Sequence, residues 1–351
     1  MPSLFLEPVR IRTSGRTVDS ASLVTGGAGF LGSHVMDALI RRGEHIVVLD
    51  DLSGGFVENV PDGVTFVQGS ILDAALVTWI FREHRIRRVY HLAAYAAEGL
   101  SHFIRKFNYQ NNLIGSVNLI NASVNHDVEC FVFTSSIAVY GPNQVPMHED
   151  LVPAPEDPYG IAKLAVEQDL RACHAQFGLP YVIFRPHNVY GERQNIGDRY
   201  RNVIGIFMNQ IMRGEPMAVF GDGRQTRAFT YVGDIAPIIA EAAFRPSAHG
   251  EVFNVGADTP YEVRVLAERV AAAMGAKPEI RHLDPRHEVV HAFSSHEKVR
   301  SYFDCPLDTS LDDGLARMAA WAKRVGARQS AAFGEIEIPR GLPPSWQTIG
   351  S

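Results

Sequence analysis

Cysteine is scarce: Cys130, Cys173 and Cys305 stand far apart, with no Cys-x-x-Cys pair. That excludes a disulfide framework and a cysteine zinc site, and reduced thiols in a cytoplasmic protein are the simpler expectation. The 14 histidines include no His-Glu-x-x-His and no tight cluster, so no metal site is expected. No run of about 18 apolar residues occurs, so no transmembrane helix is expected. Basic residues do not predominate: 33 Lys and Arg face 39 Asp and Glu, a net charge of −6. A nucleic-acid-binding surface is basic, so this balance argues against one while leaving room for a local pocket for a phosphorylated small molecule. Internal repeats and low-complexity tracts are absent. Residues 1–20 carry Arg10, Arg12, Arg16 and serines, somewhat like a transit peptide, but Glu7 and Asp19 interrupt them and no apolar segment follows. They read as a short extension or a first strand.

What is present is the texture of a globular enzyme-sized chain. Its 351 residues allow two domains at roughly 150 residues each. Hydrophobic residues make up 46%, enough for a sizeable core without staples. Short apolar runs alternate with helical patterns: strands at 22–25, 45–50, 64–68, 88–92, 130–134 and 181–184, helices at 29–42, 74–84, 103–125 and 158–177. That alternation implies an α/β fold, a doubly wound parallel sheet with helices on both faces. After Pro186 the loops lengthen, and helical patterns at 203–213, 235–244, 263–274 and 311–325 suggest a smaller mixed α/β domain. The expected division is a dinucleotide domain at 21–188 with a returning segment near 229–257. The remainder, 189–228 and 258–351, forms a substrate domain with an irregular tail, and the cleft between them is the default site.

Thr25-Gly-Gly-Ala-Gly-Phe-Leu-Gly32 lies between the first strand and the first helix. Gly26 serves the tight turn, Gly29 close backbone approach to a pyrophosphate, and Gly32 helix–strand packing. The pyrophosphate then rests on the helix N-terminus, beside Phe30 and Leu31, where free N–H groups and the dipole favour an anion. Asp50 closes the second strand, with Asp51 beside it. A carboxylate there accepts bonds from the adenosine ribose hydroxyls and repels a 2′-phosphate, so NAD is favoured over NADP.

Three further stretches carry a resemblance. Ser135-Ser136-Ile-Ala-Val-Tyr-Gly141 closes a strand, Tyr159-Gly-Ile-Ala-Lys163 opens a helix, and Arg185-Pro-His-Asn188-Val-Tyr-Gly191 follows the next strand. With the glycine fingerprint they make the chain resemble the extended short-chain dehydrogenase/reductases, and among them the nucleotide-sugar 4-epimerases, from about Ala21 to Trp321. The chemistry stands on the residues themselves. A tyrosine titrates near 10, so phenolate is scarce at pH 7. Lys163, four residues on, shares a helix face with Tyr159, and its charge favours the phenolate. Tyr159 then acts as general base on a sugar hydroxyl, and Ser136 hydrogen-bonds the same oxygen.

The resemblance implies more than the residues alone do. It adds Ser70, Ile71, Leu92, Ala93, Ala94, Asn112 and Pro186 to the cofactor set, together with Tyr159 and Lys163. It places Asn188, Arg227 and Arg286 on the substrate diphosphate and Val219 and Phe220 along a uracil pocket. It also implies a UDP-hexose as the substrate and a homodimer built through helices 103–125 and 158–177. Some positions depart from the pattern. Ser70 stands where an Asp commonly meets the adenine amino group. Tyr95 and Glu98, expected at the mouth of the site, leave the sugar open. Ala292 stands at a position that gates room for an N-acetyl group, His187 reads as a packed histidine, and the tail beyond Trp321 lies outside the resemblance.

Two rivals stay open at this level. A 4,6-dehydratase needs an acid pair directly after the Ser, where this chain has Ile137 and Ala138, which can do neither task. Decarboxylation or epimerisation of a uronic-acid sugar needs a cation for the C5 carboxylate, a role open to Arg193. A non-catalytic NAD-binding scaffold is the remaining class, since fold does not imply function.

Overall fold

The computed structural model describes residues 11–12, 20–142, 145–200, 202–285, 289–304, 306–330 and 333–346. The N-terminal half alternates strand and helix: β1 (Ile11–Arg12), β2 (Ala21–Thr25), α1 (Phe30–Arg41), β3 (Ile46–Asp50), β4 (Thr65–Gln68), α2 (Ala74–His84) and β5 (Ile86–His91). Next come α3 (Glu98–Ser101), α4 (Arg105–Tyr109), α5 (Gly115–Asn125), β6 (Cys130–Thr134), α6 (Pro158–Phe177) and β7 (Tyr181–Pro186). The remainder comprises β8 (Val189–Tyr190), α7 (Val203–Met212), β9 (Met217–Phe220), β10 (Thr226–Ala228), β11 (Thr230–Tyr231), α8 (Val232–Ala242) and β12 (Val252–Val255). It ends with β13 (Pro260–Glu262), α9 (Val263–Met274), β14 (Ile280–Leu283), β15 (His291–Ala292), α10 (Glu297–Tyr302) and α11 (Leu311–Val325).

One sheet runs β1-β4-β3-β2-β5-β6-β7-β12. Seven of its strands are parallel, and β1 pairs antiparallel with β4, Ile11 opposite Val67. The inner strands are sealed on both faces, which is why β2, β3 and β6 read as almost unbroken apolar runs. On one face α1 packs against α8; on the other α2, α5 and α6 pack in turn. Val24, Val48, Leu39 and Ile239 join the first core, and Leu23, Leu49, Phe81 and Leu119 the second. The order reverses between β2 and β5, and ligands of open parallel sheets bind outside the carboxyl ends of the strands at such a switch point.

The other half packs α7, α9 and α11 around Phe207, Met208, Leu266, Val270 and Met318. Three small sheets frame it: β14 with β9, β11 with β8, and the trio β13-β10-β15. The chain crosses back to the main sheet at β12, where Val252 to Val255 pair with Ile183 to Pro186.

The continuous helix expected over 103–125 is interrupted. Between α4 and α5, Gln110–Ile114 forms a π-helical turn, a local unwinding common near functional sites. It turns Asn112 inward, and the Asn112 amide accepts from Tyr95 N–H (2.9 Å) and donates to Tyr95 C=O (3.2 Å). That pair of bonds fixes the loop after β5.

Candidate active site

A cleft of about 500 Å³ opens at the switch point. Its floor is the turn from β2 into α1. Gly26 has φ +73°, and a Cβ there would lie 2.7 Å from the Ala93 nitrogen. A Cβ on Gly32 would overlap the Gly26 carbonyl. Gly29 is the N-cap of α1 and no side chain caps that end, so the N–H groups of the first turn, at Phe30, Leu31 and Gly32, face the cleft without intrahelical partners. Asp50 sits at the end of β3 with Oδ2 accepting from Ala28 N–H (3.0 Å) and Oδ1 from Leu52 N–H (2.8 Å). Burial raises its carboxyl to about 6, against those two backbone bonds. Asp51 also lines the cleft and is exposed. An uncapped helix end, glycines at the points of closest approach and a strand-end carboxylate fit a dinucleotide.

Ser136, Tyr159 and Lys163 meet on the same cleft. Asp157 caps α6 by accepting from Gly160 N–H (2.9 Å), with Pro158 at the first helical position. This sets Tyr159 in the first turn and Lys163 one turn further. Lys163 is sealed within the protein: Nζ donates to the Thr134 carbonyl (2.8 Å) and lies 5.8 Å from the Tyr159 ring centre. Burial pushes its ammonium down to about 7, and Glu167 works against that. Ser136 caps the short turn Ile137–Tyr140, its Oγ accepting from Ala138 N–H (3.1 Å). The hydroxyl hydrogen is thereby left to donate into the cleft.

Beneath the trio lies a buried network. The Glu167 carboxylate accepts from Ser135 Oγ (2.5 Å) and from Arg185 Nε (2.9 Å) and NH2 (2.5 Å). Arg185 NH1 donates to the Tyr140 hydroxyl (2.7 Å), which donates to Asn254 Oδ1 (2.8 Å). The network ties the residue before Ser136 and the turn after Lys163 to β7 and β12.

At the other end stand Asn188, Val219, Phe220 and Arg227. Asn188 donates from Nδ2 to the Ala228 carbonyl (3.2 Å). Arg227 donates to the carbonyls of Thr226 (2.9 Å), Val290 (3.0 Å) and Val289 (2.5 Å), which fixes its guanidinium at the rim.

Most of the residues singled out from the sequence line this one cleft: the three glycines, Phe30, Leu31, Asp50, Asp51, Ile71, Leu92, Ala93, Ala94, Ser136, Tyr159, Lys163, Pro186, Asn188, Val219, Phe220 and Arg227. Two do not. Ser70 accepts from Leu72 N–H (3.2 Å), and Asn112 is occupied with the Tyr95 peptide. Arg286 lies outside the described residues, as does Cys305. Tyr95, Glu98 and Ala292 line the cleft. His187 lines it too, but its ring is held at Nδ1 by the Ala228 carbonyl (3.0 Å) and at Nε2 by His296 (3.0 Å). Arg193 turns the other way: it donates to the Ser33 carbonyl (3.2 Å) and pairs with Asp37 (2.8 Å) on α1.

Gln194 is among the cleft residues that the sequence reading did not single out. Gln194 is 1% exposed and lines the cleft, and neither its Oε1 nor its Nε2 has a partner among the described residues. Buried amides are almost always paired, so this one has capacity for a ligand. In the sequence it stands in a polar stretch that looks solvated. No group of three or more His, Cys, Asp or Glu among the described residues suits a metal, and no helix among them is long and apolar enough to cross a membrane.

A dinucleotide cradle joined to a Ser-Tyr-Lys trio on a parallel sheet defines the class: a nicotinamide-dependent short-chain oxidoreductase fold working on a hydroxyl. Residues 22–256 match the NAD dependent epimerase/dehydratase family, and the chain belongs to it. It is 35% identical to a UDP-glucose 4-epimerase of Mycolicibacterium smegmatis over 304 residues, 84% of this chain and 96% of that protein. Among solved structures it is similar to the Thermotoga maritima UDP-glucose 4-epimerase with UDP-glucose (TM-score 0.82, 34% identity, 87% of this chain, 99% of that one). A UDP-glucuronic acid 4-epimerase from Bacillus cereus, with UDP-glucuronic acid and NAD, gives a TM-score of 0.79 at 27% identity, covering 87% of this chain and 99% of that one.

Proposed function

We propose that the protein interconverts the 4-epimers of a nucleotide sugar, a UDP-hexose such as UDP-glucose and UDP-galactose, with NAD held throughout. The observation that carries this is the meeting of Ser136, Tyr159 and Lys163 on the dinucleotide cleft. Gly26, Gly29, Phe30, Leu31, Gly32 and Asp50 would hold the NAD, and NAD supplies a reversible hydride acceptor when bound. The chain's own residues manage the proton and the oxygen. Lys163 presents a cation beside Tyr159, which favours phenolate. Tyr159 takes the proton of the C4 hydroxyl, Ser136 donates a hydrogen bond to that oxygen, and a 4-keto sugar results. The ketone turns in the pocket while its diphosphate stays held, and Tyr159 returns the proton to the opposite epimer. Asn188, Arg227 and Arg286 are the proposed diphosphate ligands, since guanidinium suits bidentate phosphate contact. Val219 and Phe220 are proposed to flank the uracil.

A neutral sugar fits better than a uronic acid. Arg193, the cation open to a C5 carboxylate, is bound to Asp37 and the Ser33 carbonyl. Ile137 and Ala138 supply no acid or base for 4,6-dehydration. We also propose a homodimer through α4–α5 and α6, supported by exposed Ile114 in the turn between α4 and α5 and exposed Ile161 on α6. We place it in the cytoplasm, a proposal that rests on the scarcity and wide spacing of its cysteines.

Proton NMR in D₂O with UDP-glucose, UDP-N-acetylglucosamine, UDP-glucuronic acid and UDP-xylose tests the reading. A 4-epimer without deuterium on the sugar carbons supports it. Deuterium at C5 or loss of the carboxylate would overturn it. Tyr159→Phe should abolish turnover and keep NAD bound; turnover near that of the unmodified chain would remove Tyr159 as the base.

A further inference from the structure

The chain does not stop where the resemblance does. Beyond α11, residues 326–330 and 333–346 form an irregular strap whose one regular turn is Pro344–Trp346. The strap starts on the α7 side, where Arg328 N–H donates to Asn209 Oδ1 (2.9 Å) and Asn209 Nδ2 donates to the Arg328 carbonyl (2.9 Å). Ser330 Oγ then donates to Asn195 Oδ1 (2.9 Å).

Its far end is seated on the loop and helices after β5. The Phe333 ring lies 5.3 Å from Tyr95 and 5.0 Å from Phe107. Glu337 accepts from the N–H groups of Lys106 (2.7 Å) and Phe107 (2.8 Å), and Ile338 N–H donates to the Phe103 carbonyl (3.1 Å). Trp346, 5% exposed, packs edge-on to Tyr200 (5.5 Å) and Phe103 (6.4 Å). Its Cη2 sits 3.1 Å from where a Cβ on Gly99 would be.

Three residues pressed by the strap, Tyr95, Gly99 and Tyr200, line the cleft. Tyr95 and Gly99 follow β5 and Tyr200 precedes α7, and Trp346 packs against both segments. The wall that carries Gly99 also touches the catalytic turn, since Ser101 Oγ accepts from Tyr159 N–H (3.3 Å). The strap thus fixes the position of the wall beside the base, where a sugar ring must turn.

We propose that the strap Phe333–Trp346 is a specificity element, which holds the Tyr95–Gly99 wall where it suits an unsubstituted hexose and excludes a 2-acetamido sugar. The proposal rests on the nucleotide-sugar 4-epimerase reading and names which sugars that site admits. No strap residue touches the reacting atoms; the strap acts by positioning.

The test uses the full chain with Trp346→Ala and, as the conservative rescue, Trp346→Phe. The first readout is the ratio of kcat/KM for UDP-glucose to that for UDP-N-acetylglucosamine, a ratio that does not depend on the fraction of folded enzyme. The second is the Kd for UDP alone. Trp346→Ala should move the ratio about tenfold toward the acetamido sugar, the size of effect that one group in a pocket wall commands. Trp346→Phe should restore it, and the UDP Kd should stay within about twofold of the unmodified chain. A ratio unchanged by Trp346→Ala, with both sugars falling in parallel or not at all, overturns the proposal and leaves the epimerase reading standing. An unmodified chain that turns over no UDP-sugar sinks the epimerase reading, and calorimetry with UDP-N-acetylglucosamine then tests the wall by itself: equal affinity in the unmodified, Trp346→Ala and Trp346→Phe chains overturns it.

Discussion

The Glu167–Arg185 pair offers the sharpest test of how the fold supports the site. Both side chains are sealed from water, 0% and 1% exposed. Arg185→Met keeps most of the stem and deletes the guanidinium. Glu167 would then be a buried carboxylate with the Ser135 hydroxyl and, 3.6 Å away, the half-exposed Arg171. Breaking a buried pair from one side costs about 3–5 kcal/mol. Arg171 offers partial compensation, so the lower end, ~3 kcal/mol, is expected. The double variant Glu167→Leu/Arg185→Met should cost much less than the sum of its singles, because no orphaned charge remains.

Denaturant unfolding of the NAD-free protein at pH 8 reads these costs. A companion readout is catalytic. Glu167 opposes the burial that pushes Lys163 down to about 7. Glu167→Gln removes that opposition, so the Lys163 ammonium is lost at lower pH and the alkaline limb of the rate profile should move down. A cost below about 1 kcal/mol for Arg185→Met, or strict additivity in the double variant, would refute the reasoning.

The other tests are briefer. Asp50 is held up near 6 by burial, and ribose hydroxyls bind its ionised form. NAD affinity should therefore weaken as pH falls through about 6, with proton release on binding seen by calorimetry in two buffers; a flat profile from pH 5 to 8 would sink this, and Asp50→Asn should flatten it. Gln194→Leu removes an amide that has no partner among the described residues. It should leave the unfolding midpoint unchanged or raised while raising KM for the nucleotide sugar; a lower midpoint with unchanged KM would make Gln194 structural. Cys130 is buried and its thiol is pushed up to about 12 by that burial. Iodoacetamide should label it only on unfolding, and labelling of the folded protein, mapped by mass spectrometry, would contradict the packing.

Legibility in the sequence followed the range of the forces involved. The parallel sheet was readable because β2, β3 and β6 are sealed on both faces, so burial writes itself into consecutive residues. The cradle was readable because a close backbone approach admits only glycine at Gly26 and Gly32. Tyr159 and Lys163 were readable as a pair because one helical turn separates them. Side-chain direction over longer range was not. Ser70 and Asn112 are at the right positions in the chain, yet one bonds Leu72 and the other is turned inward by a π-helical turn. Arg193 has φ +65° and is aimed at Asp37, a residue far earlier in the chain.

The tail marks the other limit. Its aromatic and acidic residues have no periodicity, so nothing local announces structure. Phe333, Glu337 and Trp346 find their partners at Tyr95, Lys106, Phe107 and Gly99, more than two hundred residues back. Such contacts order a segment only once the sheet has placed the β5 loop and the segment before α7 beside each other. The machinery that every member of the family needs is thus encoded locally, in turns and helix spacing. The occupied Arg193, the Gln194 amide without a partner among the described residues, and the strap beside the base are encoded in tertiary contacts. That asymmetry predicts where the reaction and its specificity separate: changes at Tyr159 or Lys163 should remove turnover for every sugar alike, whereas changes along the strap should redistribute it among sugars.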